Sequence, residues 1–147
     1  ISMRIPNVSI TTDIIVGFPN ETEEDFNETL EVVEACKYDG AFTFIYSPRE
    51  GTPAAKIKDS VDLKTKEQRL YKLNELVNKY SLEANKKYVG ESTKVLVEGI
   101  SEKDPNKAFG YTETMKLVNI IGGKDYIGQI VDVKITDAKS FSLDGEI

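Results

Sequence analysis

The chain has 147 residues, 39% hydrophobic and 30% charged, with a net charge of −6, the proportions of an ordinary soluble protein of one or two small domains. It contains no histidine and a single cysteine, Cys36, which excludes an internal disulfide, a Cys/His metal cluster held by this chain alone, and Ser-His-Asp hydrolase chemistry. Basic and acidic residues number 12 and 15 before Gly90 and 7 and 10 from there on, so neither part is a nucleic-acid binder by bulk charge. No apolar run approaches the ~20 residues that cross a bilayer, and no signal-peptide pattern opens the chain; a cytoplasmic protein with no membrane partner is expected.

In chain order, Val8 to Val16 reads as a strand, Gly17 to Asn20 breaks it, and Thr22 to Asp25 (TEED) offers a capping box to a helix. Phe26, Leu30, Val33 and Cys36 or Lys37 fall at helical spacing, and Cys36 reads as a packed core thiol. Glu21, Glu23, Glu24 and Asp25 crowd the helix start and read as a solvated acidic turn, stabilised by the helix dipole by about 0.3–1 kcal/mol each. The run AFTFIYS is a second strand, so the segment has the βαβ form that places strands parallel in one sheet. A Pro- and Gly-containing loop with Arg49 follows (PREGTPAAKIKDSVDL), of a length uncommon unless functional.

Thr65 to Gln68 offers a second capping box, and Leu70, Leu73, Val77, Tyr80, Ala84 and Tyr88 mark one face of a helix ending near Gly90. At 1.5 Å per residue its roughly 24 residues make a rod of about 36 Å. Beyond Gly90 the helical period disappears. Short β-rich segments divided by Gly, Asp, Asn or Pro take over, with Val131, Val133 and Ile135 on one face and Asp132 and Lys134 on the other. This predicts a small closed barrel of about five strands.

Asp13 is the residue that the strand pattern does not explain. Ile10, Thr12, Ile14 and Val16 share one face, and Thr11, Asp13 and Ile15 the other. The apolar set should pack the helix, leaving Asp13 on the inner side of the sheet, where an unpaired carboxylate is costly. It would need a neighbouring backbone group or Arg, or a bound molecule, and a pair of ribose hydroxyls suits a carboxylate acceptor. Gly17 just beyond allows close backbone approach to a ligand at the carboxyl end of the strand.

The stretch TTDIIVGFPNETEEDFNETLEVV, followed by AFTFIYSPREGTPAA, resembles the last two strand-helix units of the radical S-adenosylmethionine methylthiotransferases. GYTETMKLVNI with IGQIVDVKITDAKSFSLDGE resembles the TRAM barrel that follows in those enzymes. The likeness covers nearly the whole chain and rests on the order of its motifs. It implies an α/β plus all-β fold: the C-terminal part of a radical-SAM (β/α) barrel with its long connecting helix over residues 1–89, then a five-stranded TRAM RNA-binding barrel over 90–147. Within the family the details look most similar to the tRNA enzymes that add a methylthio group to C2 of isopentenyladenosine beside the anticodon. Relatives that modify threonylcarbamoyladenosine or a ribosomal protein are the nearest rivals.

By the same resemblance, Asp13 would bind the ribose hydroxyls of S-adenosylmethionine and Ile15 would contact its adenine. Phe44 and Ser47 would close over that adenine, and Arg49 would stand near the active site. Phe44 and Ser47 lie on opposite faces by parity, so one of them would act through its backbone. Tyr111, Thr112, Lys116, Asn119 and Lys139 would meet the tRNA anticodon stem-loop. The enzymes carry two 4Fe–4S clusters on cysteine thiolates, and those cysteines are absent here. The chain is therefore expected to be a C-terminal part of a longer enzyme, with the clusters held by the remainder and no chemistry of its own. Two parallel strands with open edges predict self-association. The alternative is a non-catalytic RNA-binding protein whose βαβ segment is a docking platform.

Overall fold

The computed structural model describes all residues from Ile1 to Ile147. Contacts divide them into two compact units, Ile10–Tyr80 on the one hand and Ser81–Ile147 with Ile1–Ser9 on the other. The division falls at 80/81, inside the long helix, where sequence reading drew it at 89/90.

The first unit contains β1 (Thr11–Val16), α1 (Glu23–Cys36), β2 (Gly40–Ile45) and most of α2 (Leu63–Lys86). The strands β1 and β2 pair in parallel, with Asp13 opposite Phe42 and Ile15 opposite Phe44. Val16, Phe26, Val33, Leu73, Val77 and Tyr80 form the core, with Ile14, Ala41 and Ile45 packed against it. Both helices therefore cover the same sheet face, and Thr43 on that face hydrogen-bonds Asn74 of α2.

The capping box forms as read: Thr22 Oγ1 accepts from Asp25 N at 3.1 Å and Asp25 Oδ2 accepts from Thr22 N at 2.9 Å. The Thr22 amide, with its hydroxyl second, holds the Asp25 carboxyl below its ordinary range. The helix stops at Cys36, with Lys37 left-handed behind it, and Cys36 is exposed rather than packed. Its spacing is that of the core stripe, but it is the last helical residue and the core ends at Val33. The second helix starts at Leu63, because Asp62 Oδ1 accepts from Thr65 N at 3.3 Å. Thr65 to Gln68 thus lies inside the first turns, Asp being at least as good a cap as Thr.

The barrel consists of β3 (Ser92–Ile100), β4 (Lys107–Thr112), β5 (Leu117–Ile121), β6 (Ile130–Ala138) and β7 (Leu143–Glu146). It closes in the order β3-β4-β5-β7-β6. Val95, Val97, Ala108, Val118, Ile120, Val133, Ile135 and Leu143 fill it and are fully buried, while Asp132 and Lys134 point outward as the alternation predicts. Gly110 is required by close approach: a Cβ there would lie 2.2 Å from the Leu96 carbonyl oxygen on β3. No helix is long and apolar enough to cross a membrane.

Candidate cofactor face and nucleic-acid interface

The face of the β1–β2 sheet turned away from the helices carries Thr11, Asp13 and Ile15 from one strand and Phe42 and Phe44 from the other. Ile15, Phe42 and Phe44 are 56%, 68% and 52% exposed, and Asp13 is exposed as well. The parity reading holds, but the expectation of a desolvated Asp13 does not. Within this chain nothing covers that face, so water satisfies the carboxylate and its burial demands no ligand. What remains is a carboxylate without a protein partner, beside three exposed apolar side chains on one surface. This arrangement fits the two needs of a nucleoside, an apolar platform for a base and an acceptor for sugar hydroxyls. Phe42, which the sequence reading did not single out, shares this face with Phe44 through their two-residue spacing.

The other residues expected at this site stand apart from that face. Ser47 and Arg49 lie beyond the end of β2 in exposed loop, so strand parity does not reach Ser47, and the Arg49 carbonyl accepts from Thr52 Oγ1 at 2.7 Å. Gly17 has φ +75°, a Cβ on it would lie 2.5 Å from Lys66 Cγ, and its N–H donates to Glu21 Oε1 at 3.1 Å. Its glycine character is thus accounted for by contacts inside the protein.

Those contacts belong to a buried polar network that the sequence did not reveal. Arg69 on α2 is 6% exposed. Its Nη1 donates to Glu21 Oε1 at 2.8 Å and to the Glu21 carbonyl at 3.0 Å, and Nη2 reaches Glu23 at 3.4 Å. Glu21 is therefore not part of a solvated acidic turn: its side chain is 10% exposed and shared between Gly17 and Arg69. Lys66 lies under the same turn and pairs with Asp59, which holds the Asp59 carboxyl below its ordinary range. On the far side of β1 a cleft of about 230 Å³ is lined by Thr12, Ile14, Thr29, Val32, Val33 and Tyr38.

In the barrel unit, connectivity gathers the tail of α2, the β4–β5 turn and the β6–β7 turn at one end. Asn85 Nδ2 donates to the Lys139 carbonyl at 2.7 Å, and Ser81 donates to the Ser140 carbonyl. Three residues on, just past the end of α2, Tyr88 Oη meets Thr114 Oγ1 at 2.8 Å. Four of the five residues expected to meet RNA belong to this end: Tyr111, Thr112, Lys116 and Lys139. Asn119 lies further along β5, on the outer face between Phe109 and Asp144. Thr112, 4% exposed, is not presented to a partner; its Oγ1 accepts from Lys116 N at 3.0 Å and meets Thr114 Oγ1 at 3.1 Å. Lys139 is exposed and pairs with Asp144 at 3.1 Å, and Tyr111 stacks edge-on against Phe109. No group of three or more His, Cys, Asp or Glu side chains is arranged to hold a metal ion.

Residues 86–147 match the TRAM domain. The whole chain is 58% identical over 147 residues to a protein of Bacillus cytotoxicus named tRNA-2-methylthio-N(6)-dimethylallyladenosine synthase, covering 29% of that protein. Proteins of the same name from Bacillus mycoides, at 56% over 147 residues and 29% of their length, and Oceanobacillus iheyensis, at 59% over 145 residues and 28%, are similar. The chain thus shares more than half of its residues with these proteins while spanning less than a third of their length, and its residues 86–147 are matched as a TRAM domain.

Proposed function

We propose that this chain is part of a tRNA methylthiotransferase of the radical S-adenosylmethionine class, acting in the cytoplasm on C2 of isopentenyladenosine next to the anticodon. The observation that carries the reading is the 58% identity along the entire chain. The βαβ unit with α2 would be the last portion of a (β/α) barrel, whose missing neighbours would cover the open face and edges of β1 and β2. Without them, those edges favour self-association of the chain.

On the open face, Asp13 would accept hydrogen bonds from the ribose hydroxyls of S-adenosylmethionine, while Ile15, Phe42 and Phe44 would carry its adenine. Ser47 and Arg49 would act from the loop beyond β2, and Gly17 through the turn that Glu21 holds. When bound, S-adenosylmethionine would supply the radical and methyl chemistry, together with two 4Fe–4S clusters held by the remainder of the same enzyme. This chain's own contribution would be to orient the nucleoside. The barrel would hold the anticodon stem-loop at the end where Tyr111, Lys116 and Lys139 lie, with Asn119 on the adjoining wall.

The experiment is calorimetry on the full-length enzyme with reconstituted clusters. Asp13→Ala should keep its iron content and weaken S-adenosylmethionine binding by about tenfold, the loss of a charge-assisted hydrogen bond. Undiminished binding would refute the assignment of Asp13.

A further inference from the structure

The barrel end described above carries two side chains that the fold itself does not use. Met115, at the apex of the β4–β5 turn, and Phe141, at the apex of the β6–β7 turn, are each 74% exposed. Met115 sits at φ +62°, in the left-handed region where a non-glycine residue is strained and where Gly or Asn would be easier. A long apolar side chain held at such a φ and three-quarters exposed is a candidate contact for something outside the chain.

Both apices are held rigidly. The β6–β7 turn is fixed by Ser81 and Asn85, whose side chains take the carbonyls of Ser140 and Lys139. The β4–β5 turn is fixed by a line of hydroxyls running from Tyr88 through Thr114 to Thr112, and Thr112 in turn accepts the Lys116 amide. Asn85 lies in the last turn of α2 and Tyr88 two residues beyond its end, so one stretch of backbone aims both tips at the same end of the barrel. The order is in place before any partner arrives, which lowers the entropic cost of a contact.

The surroundings decide the kind of partner. Lys116 follows Met115 directly, Lys139 precedes Phe141 by two residues, and Lys86 and Lys87 are exposed on the stretch that clamps the turns, giving phosphates places to sit. Glu113 and the Lys139–Asp144 pair temper that charge, and the chain as a whole is at −6. A nucleic acid held here draws little from bulk electrostatics and must take its affinity from its bases.

We propose that Met115 and Phe141 are the apolar contacts through which the barrel grips unpaired RNA bases, Phe141 by stacking and Met115 by packing beside it. This rests on the reading that the barrel binds RNA and adds which nucleotides it takes and with what: loop bases rather than paired stem.

The test compares an RNA hairpin with an unpaired loop, the loop sequence as a single strand, and a fully paired duplex, each titrated against the full-length protein across a range of salt. Phe141→Ala should weaken binding of hairpin and single strand by about tenfold, leave duplex binding alone, and leave the slope of affinity against salt unchanged. Phe141→Tyr, which keeps the ring, should restore most of it. Met115→Gly should raise the melting temperature by relieving the left-handed strain while weakening hairpin binding several-fold, opposite signs that a purely structural turn residue would not give. If wild type binds the hairpin and Phe141→Ala and Met115→Gly bind it equally well, the proposal is overturned and the RNA reading stands. If wild type binds none of the three RNAs, the RNA reading itself falls and takes this proposal with it.

Discussion

In the barrel every strand has two partners, whereas β1 and β2 have only each other. The barrel hides its eight core side chains completely. The parallel pair buries one face under two helices and leaves Ile15, Phe42 and Phe44 in the open. Closure satisfies strand edges within the chain, while an open pair waits for something else to do so. The two regions also differ in what fixes them. Beside its core and the Thr43–Asn74 hydrogen bond, the βαβ unit holds a buried ion pair, Arg69 with Glu21, and a second in which Lys66 is buried and Asp59 exposed. The barrel unit is tied to its helix by neutral hydrogen bonds from Ser81, Asn85 and Tyr88.

The contrast is sharpest at Arg69. Arg69→Met leaves the Glu21 carboxylate buried without its cation and should cost about 3–5 kcal/mol, read as a lower urea midpoint and faster amide exchange in β1 and α1. Adding Glu21→Gln should recover part of that loss; a double variant no better than the single would mean that the buried charge is not what matters. Next comes closure itself. Gly110→Ala drives a methyl group into the Leu96 carbonyl and should cost about 1–3 kcal/mol, with exchange accelerating in β3 and β4. An unchanged melting temperature would show that the barrel yields more easily than its packing implies. The smallest effect belongs to the open face. Phe42→Thr removes a ring that is two-thirds exposed, and stability should stay within about 0.5 kcal/mol. A larger loss would mean that the face is covered in solution, and light scattering would then reveal whether a second copy covers it.

How far these features could be read in the sequence follows the range of the interactions behind them. Thr22 with Asp25, and Val133 with Ile135, depend on neighbours two or three residues away, and the periodic pattern displays them. The side of β1 on which Asp13 lies was equally legible, since parity is local. Whether that side is dry was not, because burial depends on what covers a sheet rather than on the strand. Arg69 and Glu21 are 48 residues apart, and an arginine on a helix otherwise reads as a solvated one. Ser81 and Asn85 escaped for the same reason: they lie along the buried stripe of α2, but their partners are carbonyls beyond the end of β6. Cys36 shows the converse, a residue in perfect register with a core that had already ended.

The Glu21 carboxylate leaves one last consequence. A single oxygen, Oε1, serves the amide of Gly17 and the guanidinium of Arg69 at once, so the loop leaving β1 and the flank of α2 share a pivot. Shortening it by one carbon, as in Glu21→Asp, would force that oxygen to choose between them. One atom therefore joins the tip of β1 to a helix that begins more than forty residues downstream.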